Sequence, residues 1–148
     1  LMFNDIREDS FISMALYVID ESNGNVQLVR AGHDKAPVYR HASGEVEWIK
    51  PPGLAIGLDD GDVFERITKL HEFTLEKGDL LLLYTDGVTE ANDPLENEFG
   101  VDRMIEVLNL NALDGAGRVL KELLAKLDHF VDGALQSDDI TLIAIEKK

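Results

Sequence analysis

Apolar residues run in short blocks through the first half of the chain and recur at helical spacing only in the second half. Residues 11–20 (Phe-Ile-Ser-Met-Ala-Leu-Tyr-Val-Ile-Asp) are rich in β-branched and aromatic side chains. The turn cluster Glu21-Ser22-Asn23-Gly24-Asn25 separates them from a second such block at residues 26–31. This spacing predicts a β-hairpin. Gly32-His33-Asp34-Lys35 breaks the pattern, and residues 37–41 and 46–49 then predict a second hairpin around Ala42-Ser43-Gly44-Glu45. Two more strands are expected at residues 64–74 and 79–85, on either side of Glu76-Lys77-Gly78. Asp59-Asp60-Gly61-Asp62 reads as a solvated acidic loop, without the spacing or the distal Glu of an EF-hand.

Val101, Ile105 and Leu108 recur at i, i+4, i+7 behind Gly100 and predict a helix. Val119, Leu120, Leu123, Leu124, Leu127, Phe130 and Val131 form a broad apolar stripe, with Lys121, Glu122, Lys126 and Asp128 outside it. Residues 140–145 predict a closing strand. Hairpins first, two helices next and one strand last is an α+β pattern, not the alternation of a parallel α/β sheet. Trp48 and Phe73 are expected to fill the sheet core.

Composition narrows the function classes. The chain has 148 residues, enough for one domain, with 14 Lys+Arg against 29 Asp+Glu and a formal charge of −15. An acidic excess of this size repels phosphate backbones and anionic lipid, which argues against nucleic-acid and membrane-surface roles. The longest apolar run, Leu80-Leu81-Leu82-Leu83-Tyr84, falls far short of the roughly 20 residues of a membrane span. There is no N-terminal signal pattern. With no cysteine there is no disulfide framework, thiolate site or cysteine nucleophile. A cytoplasmic location is the expectation.

The acidic residues are not evenly spread. No Lys or Arg lies between Lys77 and Arg103, where Asp79, Asp86, Glu90, Asp93, Glu96, Glu98 and Asp102 fall, nor between Lys126 and Lys147, where Asp128, Asp132, Asp138, Asp139 and Glu146 fall. In each stretch a carboxylate adjoins an apolar strand: Asp86 follows one and Asp138-Asp139 precede another. A rigid strand fixes the position of a residue at its mouth. Carboxylates converging there call for a hard cation such as Mg²⁺ or Mn²⁺. On spacing alone, however, Asp-Gly after a strand is first a turn signal and Ser-Asp-Asp a solvated loop.

Leu83-Tyr84-Thr85-Asp86-Gly87-Val88-Thr89-Glu90-Ala91 resembles the bacterial sporulation and stress-response (SpoIIE/RsbU-like) branch of the metal-dependent protein phosphatases, the PPM type. Further segments match in order. They are Ala31-Gly32-His33 followed by Pro37, Leu54-Ala55-Ile56-Gly57 for a Pro-Leu-Gly loop, the strand start at residues 75–82, Glu98-Phe99-Gly100 and Asp138-Asp139-Ile140-Thr141-Leu142. Ile56 departs from the pattern. The resemblance implies two stacked antiparallel sheets flanked by helices, and Asp86 and Asp138 as ligands of one of two Mn²⁺ or Mg²⁺ ions. It gives Asp139 a supporting or strand-starting role. It also implies attack of water, activated by two ions about 3.5–4 Å apart, on a phosphoserine or phosphothreonine. The implied substrate is a phosphorylated regulatory protein such as an anti-sigma-factor antagonist.

The same resemblance places an Asp-x-x-Gly-His-Gly segment, with the aspartate that bridges both ions, several tens of residues before Phe11. The chain begins at Leu1 and contains no Gly-His-Gly; Asn4-Asp5 and Glu8-Asp9 read as the end of a helix. The expectation is a single partial domain over residues 1–148, the C-terminal portion of a phosphatase domain, inactive alone and inclined to dimerise through uncovered sheet edges and apolar surface. The alternative is a degenerate, non-catalytic phosphatase-fold module that binds a regulatory partner. Thr85 and Thr89 are expected to orient the Asp86-Gly87 loop, Asn92 and Asp93 to shape a loop beside substrate, Glu90 to start a helix, and His33 to make structural hydrogen bonds.

Overall fold

The computed structural model describes residues 10–59 and 61–148. In chain order its elements are strands β1 (Met14–Ile19), β2 (Asn25–Ala31), β3 (Ala36–Arg40) and β4 (Glu45–Ile49), helix α1 (Asp62–Ile67), strands β5 (His71–Thr74) and β6 (Leu80–Tyr84), helices α2 (Asp86–Thr89), α3 (Gly100–Asn111) and α4 (Ala116–Val131), and strand β7 (Leu142–Glu146). The class is α+β with two antiparallel sheets. The chain divides into two compact units, residues 1–35 with 50–75 and residues 36–49 with 76–148. Among the described residues no helix is long and apolar enough to cross a membrane.

The first unit carries a three-stranded sheet in the order β1-β2-β5. Its hairpin turn is locked by Asp20, whose carboxylate accepts the Ser22 N–H and hydroxyl and the Asn23 amide at 2.6–2.9 Å. Along β1, Ala15, Tyr17 and Ile19 are half-buried, while Met14, Leu16 and Val18 are 43–55% exposed. With Phe11 and Ile12 they leave an open apolar stripe on an edge strand. The Ala31-Gly32-His33 and Leu54-Ala55-Ile56 segments meet here. A Cβ on Gly32, which holds φ +74°, would lie 2.6 Å from the Ala55 Cβ, so only glycine fits. Ile56 is buried and exchanges two backbone hydrogen bonds with Ile12, both at 2.9 Å. His33 takes the structural role expected of it: its ring lies 3.3 Å from the Ser13 hydroxyl and its carbonyl accepts from Arg30.

The strand expected over residues 64–74 is corrected by the structure. Residues 62–67 are helical, and only His71–Thr74 pairs with β2. The cause lies in the loop taken as solvated: Gly61 turns the chain at φ 115°, and Asp59 Oδ2 accepts the Val63 and Phe64 N–H groups at 2.7 and 3.3 Å. Asp59 thus caps α1. Asp60, and the helix end read at residues 4–9, lie outside the described residues. Phe73, expected in the core, is half-buried with its ring 6.0 Å from that of His71.

The second unit is built on the sheet β4-β3-β6-β7. Its core forms because Leu80, Leu82 and Tyr84, alternate residues of β6, share one face with Phe99, Met104, Leu108, Val119, Leu123 and Leu127 from the helical region. Trp48 packs against this cluster. Phe130 meets Phe99 edge-on at 5.4 Å and lies under the Arg103 guanidinium at 4.7 Å.

Two carboxylates from the stretches without Lys or Arg have structural work in this unit. Asp79 is 1% exposed, and its oxygens accept from Arg40 (2.6 Å), the His41 N–H (2.9 Å) and the Glu76 N–H (3.1 Å). Glu146, at the end of β7, accepts the Ala116 N–H at 3.2 Å and caps α4.

Candidate metal site

Strand β6 is buried through most of its length and delivers the chain to Thr85, which is still extended (φ −97°, ψ 157°) before Asp86 opens the single turn of α2. That turn is fixed by the Asp86 carbonyl, which accepts the Glu90 N–H at 2.8 Å and the Thr89 hydroxyl at 3.2 Å. Glu90 therefore closes α2, which corrects the expectation that it starts a helix.

Thr85 ties this turn to the segment before β7. Its hydroxyl donates to the Asp139 carbonyl at 2.8 Å and accepts the Thr141 N–H at 2.9 Å, while its own N–H donates to the Thr141 carbonyl at 3.2 Å. Next to it, Gly87 is pressed against the same segment. A Cβ there would lie 2.5 Å from the Asp139 carbonyl oxygen and 3.2 Å from that of Asp138. Only a residue without a side chain admits that approach. The structure thus brings together the backbones of Thr85, Asp86, Gly87, Asp138 and Asp139, residues about fifty positions apart in sequence.

Both aspartate side chains at this junction are exposed. Each accepts a single backbone N–H on one oxygen, from the residue that follows it: Gly87 to Asp86 at 3.0 Å, Asp139 to Asp138 at 2.7 Å. Among the described residues no ion pair engages either one. Oxygen donors without a basic partner suit a hard divalent cation such as Mg²⁺ or Mn²⁺. No group of three or more His, Asp or Glu side chains is gathered to share an ion among the described residues. Asp139 takes part through its main chain, with its N–H on Asp138 and its carbonyl on Thr85.

The loop after α2 is braced independently. The Asp93 carboxylate accepts the N–H groups of Leu95 and Asn97 and the Asn97 amide, and the hydrogen bonds from Asn97 hold it below the usual carboxylate range. Asn92 pairs with Glu98 across the loop and, with Gly87, lines a pocket of about 270 Å³. The pocket's other walls come from α4 and residues 134–140. Leu124 and Leu135, 50% and 93% exposed, belong to it; the sequence reading took Leu124 only as part of the apolar stripe and passed over Leu135. The available signal was an apolar stripe on α4 wider than one buried face, followed by an isolated leucine in a polar loop.

The sequence model of the family described as Stage II sporulation protein E (SpoIIE) matches residues 1–148. The chain belongs to the SpoIIE family. Its relatives include protein IcfG of Synechocystis, 34% identical over 91% of this chain, and phosphoserine phosphatase RsbU of Bacillus subtilis, 26% identical over 93%. The chain spans only 20% and 39% of those two proteins. Among solved structures, the SiaA-PP2C domain of Pseudomonas aeruginosa superposes with a TM-score of 0.74 at 22% identity, over 93% of this chain and 52% of that one. The catalytic domain of the serine/threonine protein phosphatase PstP, in complex with two manganese ions, superposes at 0.63 and 15% identity, over 98% and 62%. These likenesses show the PP2C-type fold for this SpoIIE-family chain.

Proposed function

We propose that this chain is the C-terminal portion of a Mn²⁺- or Mg²⁺-dependent serine/threonine protein phosphatase domain, with Asp86 and Asp138 as its contribution to one metal ion. The observation that supports this reading is the junction of Gly87 with the Asp138–Asp139 backbone, which draws together the two loops that carry carboxylates without a basic partner. Membership of the SpoIIE family, the activity named for RsbU and the manganese ions of PstP support it. The ion, when bound, would supply Lewis acidity and an activated water for hydrolysis of a phosphate ester. The chain's own residues do the positioning: Thr85 and Gly87 set the separation of the two loops, and the Gly87 and Asp139 N–H groups orient the two carboxylates.

The substrate is a phosphorylated regulatory protein, with an anti-sigma-factor antagonist as the example the family suggests, and the setting is the cytoplasm. Two carboxylates fall short of the ligand set of a two-ion centre. Turnover by these residues alone is therefore near background, which is also where a non-catalytic binding module would lie. Phosphate release from a phosphoserine protein, assayed in Mn²⁺ and in EDTA, tests this. The isolated 148-residue chain is expected to show little release in either. Robust Mn²⁺-dependent release that survives Asp86→Asn would overturn the site assignment.

A further inference from the structure

The pocket beside the aspartates carries one more step. Its walls are apolar: Leu124, Leu127 and Val131 from α4, then Leu135 and Ile140. At about 270 Å³ it sits just below the range of roughly 300–1,000 Å³ typical of small-molecule sites, with room for one large apolar side chain. Its lining includes Gly87 and Ser137, the chain neighbours of Asp86 and Asp138, which puts the groove beside the candidate metal site. No lining residue is basic, and Asp128 stands exposed on its rim.

We infer that this groove docks the substrate protein itself, by seating an apolar side chain a few residues from the phosphorylated serine or threonine, with basic residues flanking it. The inference rests on the phosphatase reading and names the substrate feature which that site would select. Continuity requires an occupant that reaches the groove and the carboxylates together, which a polypeptide does. The charge favours a cationic flank: beyond the two carboxylates assigned to the ion, Asp128 and Asp139 are exposed acids and no lining residue is basic. An uncharged apolar ligand would leave that acidic rim without a complement. Leu135, 93% exposed, gains an apolar partner on this account.

The test uses short arginine-flanked phosphoserine peptides, otherwise alanine, with a single leucine walked along the sequence. Binding to the chain in Mn²⁺ is read by fluorescence anisotropy. One leucine position is expected to tighten binding about tenfold over the all-alanine peptide, in line with partial burial of a leucine side chain. Leu135→Asp and Leu124→Gln should each abolish that preference. Both positions are exposed enough for the variants to fold, which circular dichroism verifies. Asp86→Asn should remove the Mn²⁺ dependence of binding and leave the leucine preference.

Absence of a leucine preference, or one that both groove variants leave untouched, overturns the docking proposal whatever Mn²⁺ does. A leucine preference without Mn²⁺ dependence overturns the metal reading while the groove stands. A wild-type dimer that Leu135→Asp dissolves assigns the groove to a second copy of the chain and overturns the proposal.

Discussion

Thr85 and Asp139 are joined by a 2.8 Å hydrogen bond from a threonine hydroxyl to a main-chain carbonyl, and the same hydroxyl accepts the Thr141 N–H at 2.9 Å. One side chain thereby satisfies two backbone groups of the Asp138–Thr141 segment and sets that segment's height over Gly87. Replacing Thr85 by valine keeps the shape and removes both bonds. The expected loss is about 0.5–1.5 kcal/mol of stability, because both bonds lie at an exposed site where water takes over the freed groups. Thr85→Ser should recover most of it. Urea denaturation of the three proteins measures the difference.

Gly87 and Gly117 offer a contrast in what a single methyl group does. At Gly87 the added carbon meets the Asp139 carbonyl at 2.5 Å, whereas at Gly117, inside α4, it meets nothing within 4 Å. Gly87→Ala should therefore destabilise by about 1–3 kcal/mol and weaken Mn²⁺ binding by separating the loops. Gly117→Ala should stabilise by about 0.5–1 kcal/mol and leave the metal affinity unchanged. Thermal melts together with Mn²⁺ titrations distinguish the two.

Asp79 holds Arg40 and two backbone N–H groups from within the second unit. Asp79→Ala takes the acceptor from two backbone N–H groups and one of two carboxylates from the Arg40 guanidinium, which keeps Glu47, and should cost about 3 kcal/mol in urea unfolding. The partial exposure of Arg40 keeps the figure at the lower end of the range for buried pairs.

Burial pushes the Tyr17 hydroxyl up to about 12, with Arg30 pulling the other way. The folded state thus keeps its proton where the unfolded chain, titrating near 10, has lost it. Stability is complete below pH 10 and declines as pH rises from 10 through 12. Tyr17→Phe should flatten that alkaline decline, read from denaturation midpoints across the pH range.

Most of the fold was legible because β-branched blocks and turn clusters mark strands by local sequence alone. The sheet strands other than β5 and the two long helices fall where periodicity placed them. Residues 64–74 failed because Val63, Phe64 and Ile67 suit a strand locally, while the helix is imposed by Asp59, a capping residue that reads as one more surface acid. In the same way, composition cannot separate Asp79, buried on Arg40, from Asp86, exposed at a strand mouth. The Asp86-Gly87 and Asp138-Asp139 motifs stood out, but the reason for the glycine did not. It lies in the approach of a backbone about fifty residues away, which no local pattern encodes. The groove was invisible for a related reason: Leu124 lies on the apolar stripe of α4, and only packing shows that the core stops short of it.

The central claim is that Asp86 and Asp138 bind one divalent ion between them. Paramagnetic broadening of backbone amide resonances by Mn²⁺, followed residue by residue in the wild-type chain and in Asp86→Asn and Asp138→Asn, tests it most directly. The account predicts broadening that starts at residues 85–88 and 137–140 together and needs at least about tenfold more Mn²⁺ in either variant, as loss of one of two charged ligands requires. Broadening that begins elsewhere, or that both variants leave unchanged, would contradict it.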